Sequence, residues 1–296
     1  RRIGFYISFA GNVTYPSATR LRETAARVSA EALLVETDCP YLAPKSRRGQ
    51  TNEPAFARET AEELARVYGL TVADVERVSS FNAFHLFGVG SAADPGTVVY
   101  PIRDGLYVNL TNRCTNRCVF CARETRPVVK GHNLALEAEP SAERVTAAIG
   151  DPRMYKEIVF CGFGEPTLRL DALKAVAAWV KRTSPRTKVR INTNGHASLI
   201  HGRPVCAELK GLVDSVSVSL NAADRDSYAR LCQPEHGPEA FDALLAFVRE
   251  AKAALPEVVV TAIDMPGVDI PACQRLAAEL GVALRVRKYD DVGTPK

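Results

Sequence analysis

The sequence has no run approaching the ~18 consecutive apolar residues that a bilayer-crossing helix needs, so no membrane partner is expected. Its first residues, Arg1-Arg2-Ile3-Gly4, lack the apolar core of a signal peptide. They also lack an initiator methionine, so the chain reads as processed or as a fragment. Charge of one sign is not in great excess: 38 Lys and Arg against 34 Asp and Glu leave a formal charge of +4. That balance is too mild to imply nucleic-acid binding, because solvated Lys and Arg faces account for it. Low-complexity tracts and short-period repeats are absent, and so is histidine before His85.

What is present is the material of a globular protein. Apolar residues make up 46% of the 296 and charged residues 24%, enough to bury the cores of two ordinary domains. Eight cysteines in a chain without a secretion signal point to metal or redox chemistry before disulfides, and the cytoplasm is the expected compartment. Three of the eight are crowded into the span 114–121.

Gly and Pro between residues 88 and 105 give a linker, expected over 89–104, between segments 1–88 and 105–296. Upstream, 5–9 and 32–35 read as short strands. Helices are expected over 18–28, 53–68 and 72–87, the last capped by Thr71. Downstream, β-branched runs at 106–110, 157–160, 188–191, 215–220, 258–263 and 283–286 alternate with helical patterns at 142–149, 170–181, 204–212, 238–254 and 271–280. Alternation of this kind implies an α/β fold with a parallel sheet. Six βα units are too few for a closed eightfold barrel, so an open, partial (βα)6 TIM-like barrel fits best. Chemistry in such folds gathers at the C-terminal strand ends. There lie the cysteines, Gly162-Phe163-Gly164-Glu165, Asn192-Thr193-Asn194-Gly195, Ser219-Leu220-Asn221 and Asp264.

Cys114, Cys118 and Cys121 form CxxxCxxC. Thiolates bind soft metals, and a short loop can aim three of them at one cubane, leaving its fourth iron open. Zinc is the rival occupant, although no second cysteine pair supplies the usual fourth ligand. The remaining cysteines, Cys39, Cys161, Cys206, Cys232 and Cys273, read as small buried hydrophobes, with Cys161 near enough to the site to test.

The cysteine spacing, with Phe120 before the last Cys and Asn109-Leu110-Thr111-Asn112-Arg113 before the first, resembles the radical S-adenosylmethionine (SAM) superfamily. The resemblance implies a 4Fe–4S cluster on Cys114, Cys118 and Cys121, whose open iron is chelated by SAM, and an electron donor such as flavodoxin or ferredoxin. Reduction would then cleave SAM to methionine and a 5′-deoxyadenosyl radical. Gly162-Phe163-Gly164-Glu165-Pro166 resembles the family's GGE-type motif: the glycines permit close approach, and Glu165 would accept from the SAM ammonium. Asn192, Asn194, Ser219 and Asn221 stand where the family contacts the SAM carboxylate and ribose, although turn and capping duties explain such residues as well. Asp264 and Arg285 are further candidates by position alone. No cysteine-rich extension follows strand six at 290–293, so one cluster per chain is expected.

Glu36-Thr37-Asp38-Cys39-Pro40-Tyr41-Leu42 followed by Asn52-Glu53-Pro54 resembles the end of TatD-family metal-dependent deoxyribonucleases. The resemblance implies the last two βα units of a (βα)8 amidohydrolase-type barrel, with Asp38 a ligand to divalent metal if the rest of that barrel were present. The other ligands, an HxH pair, a bridging Glu and further His, have no counterpart in 1–84, so the chain by itself should not be a nuclease. A truncated fusion, or a degenerate remnant, would expose surfaces meant for absent strands and be poorly soluble. The expected function is a radical SAM enzyme whose substrate is unidentified, with a nucleotide or nucleic acid hinted at by the TatD-like partner. The alternatives are a metal-dependent deoxyribonuclease carrying an accessory Fe–S or zinc module, and a non-catalytic Fe–S or zinc interaction module.

Overall fold

The structure, a computed structural model, describes residues 5–90, 96–121, 123 and 128–288. The expected linker residues 91–95 and the closing stretch 290–293 lie outside the described residues. Chain contacts divide into two units. One comprises the residues up to Asp94 with Val128–Asn133, the other Pro95–Pro127 with Leu134–Pro295.

In the first unit, β1 (Ile7–Phe9) pairs in parallel with β2 (Leu33–Val35) through α1 (Thr19–Ala25), and α2 (Ala57–Tyr68) and α3 (Val72–Phe87) follow. Ala61, Leu64 and Ala65, three and four residues apart on α2, bury one stripe against Phe9, Val13 and Leu33. Thr71 caps α3 as expected: its hydroxyl accepts from Asp74 N at 3.1 Å, and Asp74 reaches back to Thr71 N at 3.1 Å. Asn52 shows why the Asn-Glu-Pro string accompanies the earlier motif. Its amide donates to the carbonyls of Thr37 and Tyr41, pinning the turn that carries Asp38. Fully buried Asn82 on α3 donates to the carbonyls of Ala30 and Leu33 at 2.9 and 2.8 Å. Phe5, Ile7, Tyr41 and Leu42 stay exposed.

The second unit begins with β3 (Val99–Ile102) and β4 (Gly105–Val108). A short hairpin of β5 (Val128–Val129) and β6 (His132–Asn133) then groups with the first unit, where Lys130 O accepts from Arg77 Nε at 2.8 Å. There follow α4 (Ala142–Ile149), β7 (Glu157–Phe160), α5 (Leu170–Thr183), β8 (Lys188–Thr193), α6 (Ala197–His201), α7 (Cys206–Leu209), β9 (Ser215–Ser219), α8 (Arg225–Cys232), α9 (Glu239–Ala254), β10 (Glu257–Asp264), α10 (Ile270–Leu280) and β11 (Ala283–Lys288). The sheet order is β11-β10-β9-β8-β7-β4-β3, with every pairing parallel except β3–β4. The six expected parallel strands are all there, in an α/β fold.

β3 lies inside the segment read as linker. Pro101 obscures it in the sequence, but a strand at the sheet edge tolerates proline, which has no ladder donor to offer. The helix expected over 204–212 shrinks to Cys206–Leu209, with Gly211 beyond it at φ +79°.

The two sheet faces differ. Val108, Phe160, Ile191, Val218 and Val260 alternate onto the face covered by helices and form the main core with Leu173, Val176, Leu244 and Phe247. The opposite face carries Tyr107, Arg190, Asn192, Ser217 and Thr261. Arg190 there is paired with Glu157 at 2.8 Å. Among the described residues no helix is long and apolar enough to cross a membrane.

Candidate functional site

Three strand ends meet at the first cysteine. β4 leads into the loop Asn109–Cys121, β7 into Gly162–Glu165 and β8 into Asn194–His196. The two glycines make the meeting possible. A Cβ on Gly162 would strike the Asn109 side chain, and one on Gly164 would strike the carbonyls of Thr111 and Arg113. The close approach that the glycines permit is therefore, first of all, an approach by the cysteine loop itself, and it is sealed by Glu165 N donating to Arg113 O at 2.8 Å.

The loop is held from its other side by the end of α8. Arg117 N donates to Cys232 O at 3.0 Å, Val119 N to Leu231 O at 2.9 Å and Glu235 N to Thr115 O at 2.8 Å. The first two satisfy carbonyls that the last helical turn leaves without intrahelical donors, and the third satisfies a carbonyl of the loop. Burial pushes the half-buried Cys114 thiol up to about 12, reinforced by the charge of Glu165, while Asn116 N and Arg123 act against it. The Cys118 thiol is pushed well above its usual range, first by a hydrogen bond with Cys232 and then by burial. Arg123 favours the thiolate at both positions, so one guanidinium serves two thiols. Cys121 N donates to Cys118 O at 2.9 Å. Phe120 is buried in the main core.

Glu165 is 2% exposed. Its Oε1 accepts from Thr167 N at 3.1 Å and from the hydroxyls of Thr167 and Thr193 at 2.6 and 2.8 Å, and its Oε2 accepts from Asn194 N at 2.7 Å. Burial raises its pKa and these four bonds oppose the rise. A carboxylate has about four lone-pair sites, so the acceptor capacity still open lies on Oε2.

Asn194 also faces inward. Its Nδ2 donates to Thr115 Oγ1 at 2.8 Å and reaches Cys114 Sγ at 3.9 Å, while its Oδ1 accepts from His196 N at 3.0 Å. Asn192 Oδ1 accepts from Arg190 at 2.8 Å, on the polar sheet face. Ser219 is half-buried at the end of β9. Asn221 is buried at φ +56°, and its Oδ1 has no hydrogen-bond partner. An orphaned buried acceptor costs about 1–3 kcal/mol, which a ligand hydroxyl or amine would offset. Asp264 and Arg285 are exposed on β10 and β11. Cys161 lends its carbonyl to Tyr100 Oη at 2.9 Å. Asp38 is exposed at φ +57° in the other unit.

Sequence reasoning missed the brace behind this arrangement. His196, fully buried, touches Thr115 Oγ1 through Nδ1 at 3.2 Å and Tyr228 Oη through Nε2 at 3.0 Å. Asn116 Nδ2 donates to the same Tyr228 hydroxyl at 3.1 Å. Burial first, then the charge of His236, lowers the His196 pKa to about 4, so the ring is neutral. Glu139, whose carboxylate accepts from Arg113, Arg169 and Thr111, was missed as well. The only signal for His196 was its place two residues past Asn194. Tyr228 comes from another helix, and no local pattern announces it.

Among the described residues no three His, Cys, Asp or Glu side chains gather at a point that could hold a metal ion, so the three cysteine sulfurs are not a ready-made ligand set. The surroundings nevertheless suit a cluster. A cavity of about 640 Å³ opens beside Cys114, lined by Arg113, Arg117 and Arg123 as well as Leu168. Thiols are the donors that iron–sulfur clusters take, and Arg117 and Arg123 outweigh the Glu235 carboxylate on the same cavity wall, while Arg113 is paired with Glu139.

Comparison with known proteins separates the two halves of the chain. Residues 1–88 match the TatD related DNase family. The uncharacterized metal-dependent hydrolase YcfH of Escherichia coli K12 is 44% identical over 90 residues, which are 30% of this chain and 34% of that protein. The hydrolase YabD of Bacillus subtilis is 35% identical over 88 residues, 30% of this chain and 34% of its own length. The chain thus spans about a third of these relatives. Among solved structures, a radical SAM methyltransferase from Sphaerobacter thermophilus aligns at 16% identity and TM-score 0.45, covering 66% of this chain and 71% of that one. Methylornithine synthase aligns at 16% identity and TM-score 0.41, covering 79% and 63%. The Radical SAM superfamily matches residues 108–278, more than half of the chain, and the protein belongs to that superfamily, its radical SAM region preceded by a TatD-like segment.

Proposed function

We propose that this protein cleaves SAM reductively at a single 4Fe–4S cluster held by Cys114, Cys118 and Cys121. When bound, cluster and SAM together supply a one-electron reduction that yields methionine and a 5′-deoxyadenosyl radical able to abstract hydrogen from a substrate. The observation that carries this reading is the meeting of three strand ends at Cys114, where two glycines, Glu165 and Asn194 all close on the cysteine loop.

The chain's own residues divide the work. Arg123 favours the thiolates of Cys114 and Cys118, which must lose their protons to become ligands. Glu165 offers its remaining Oε2 lone pair to the SAM ammonium, the kind of charge-assisted bond that carries specificity. Asn221 supplies an unsatisfied acceptor for a ribose hydroxyl or amine, with Ser219 and Asn192 as neighbouring polar contacts. Arg117 and Arg123, against the one carboxylate of Glu235, give a net cationic approach that favours an acidic electron donor such as flavodoxin or ferredoxin. The parallel run β11-β10-β9-β8-β7-β4 is read as curling toward a partial (βα)6 barrel, its polar face inward. Residues 1–88 are read as the last two βα units of a (βα)8 hydrolase barrel, inactive as a nuclease by themselves, 89–104 as the connection and 105–296 as the catalytic domain. The substrate class favoured by this pairing is a nucleotide or nucleic acid.

The full chain, reconstituted anaerobically with iron and sulfide, should release 5′-deoxyadenosine from SAM on addition of dithionite. Product that persists in Cys118→Ala would overturn the proposal. A zinc-binding interaction module is the second reading, favoured by one observation: the Cys232 thiol, opposite Cys118, is a fourth sulfur near the site. Metal analysis separates the two readings, since stoichiometric zinc without iron would select the second.

A further inference from the structure

Cys232 belongs to no motif, yet it lies against one that does. It is the last residue of α8 and only 1% exposed. The bridge between Asn116 and Pro234 is antiparallel, so two residues back along one segment and two forward along the other set Cys118 opposite Cys232. Bonds on both sides agree with that pairing: Arg117 N donates to Gln233 O at 3.2 Å and Val119 N to Leu231 O at 2.9 Å. Residues facing each other across such a pair have Cα atoms about 4.5–5.5 Å apart, inside the roughly 4.4–6.8 Å that a disulfide spans. The Cys232 thiol lies near enough to raise the pKa of the Cys118 thiol, and both cysteines are free.

We propose that Cys118 and Cys232 join in a disulfide when no metal occupies Cys118, so that oxidation locks the cysteine loop against cluster loading. The oxidant is a low-molecular-weight disulfide. Half-buried Cys118 is the entry point: its sulfur attacks the small disulfide, forming a mixed disulfide and releasing one small thiol. Cys232 then attacks the Cys118 sulfur, forming the internal bond and releasing the second small thiol. The two thiol protons leave with the two released thiols, the protein is oxidised by two electrons and the small disulfide is reduced by two. The internal bond is short-range and made within one unit, so nothing large has to move for it to form. The locking role rests on the proposed function of Cys118 as a cluster ligand; the disulfide chemistry does not.

The test uses the full metal-free chain treated with glutathione disulfide, mapped by peptide mass spectrometry and then offered iron and sulfide anaerobically. The expected result is a linked Cys118–Cys232 peptide and loss of most iron uptake, restored by dithiothreitol. Cys232→Ser and Cys232→Ala should give no linked peptide after the same oxidation and should instead hold glutathione on Cys118. Cys232 recovered as free thiol while other cysteines pair would overturn the proposal. So would a linked chain that still takes up iron in full. Reduced wild type that binds no iron would instead overturn the cluster assignment, and the linked peptide would still decide the disulfide.

Discussion

His196 offers the sharpest probe of the buried brace behind Cys114. Burial, with His236 acting in the same direction, takes its pKa from 6.5 down to about 4 in the folded chain. The unfolded chain therefore binds a proton between those values while the folded one does not. Stability from this group is fully present above pH 6.5 and is lost as pH falls toward 4, by an amount of about 3 kcal/mol. His196→Gln removes the titration. It also disturbs the bonds to Thr115 and Tyr228, which should lower stability near neutral pH by about 1–3 kcal/mol. The deficit of the variant should then shrink or reverse as the pH is lowered through the window. Urea unfolding followed by tryptophan fluorescence suits the purpose, because the chain's single tryptophan, Trp179, lies on α5 of the radical SAM unit. A wild-type-minus-variant difference that stays constant from about pH 7.5 to 4 would refute the argument that a buried neutral imidazole carries the pH dependence.

Other perturbations test the strand-end meeting from different sides. Gly164→Ala forces a methyl into the carbonyls of Thr111 and Arg113, an overpacking that should cost about 1–3 kcal/mol and reduce iron loading; unfolding free energy within 0.5 kcal/mol of wild type, a band typical of about neutral surface changes, would contradict it. Glu165→Ala should keep the cluster but weaken SAM binding by about 1.5–3 kcal/mol, read by calorimetry, and unchanged affinity would remove Glu165 from the cofactor site. Asn194→Ala removes a donor aimed at the Cys114 sulfur and should move the cluster potential to more negative values in an EPR-monitored titration. Asp38→Ala should leave SAM cleavage untouched, and a loss of product there would tie the TatD-like segment to the chemistry.

Much of this architecture is legible in the residues alone. Buried strands such as Glu157–Phe160 and Ser215–Ser219 announce themselves as short apolar or β-branched runs, and Thr71 with Asp74 marks a helix start by local chemistry. The cysteine spacing and Gly162-Phe163-Gly164-Glu165 are equally local. What sequence could not give were facts that exist only across strands. Gly164 is required by carbonyls 51 and 53 positions earlier, at Arg113 and Thr111. Glu165 reads as an acceptor for the SAM ammonium, and the structure adds four protein donors that already converge on it. Tyr228 and His196 lie 32 residues apart and meet only because α8 returns over the end of β8.

The packing of Gly162 and Gly164 under the cysteine loop also bears on protein engineering. An eight-residue CxxxCxxC segment transplanted by itself would arrive without the floor it rests on. The carbonyls of Thr111 and Arg113, just ahead of it, are what rest on bare backbone in this fold, and Cys114 would lose the amide of Asn194. The smallest portable piece is therefore not the loop but three strand ends together, from β4, β7 and β8, with the tail of α8 to hold them.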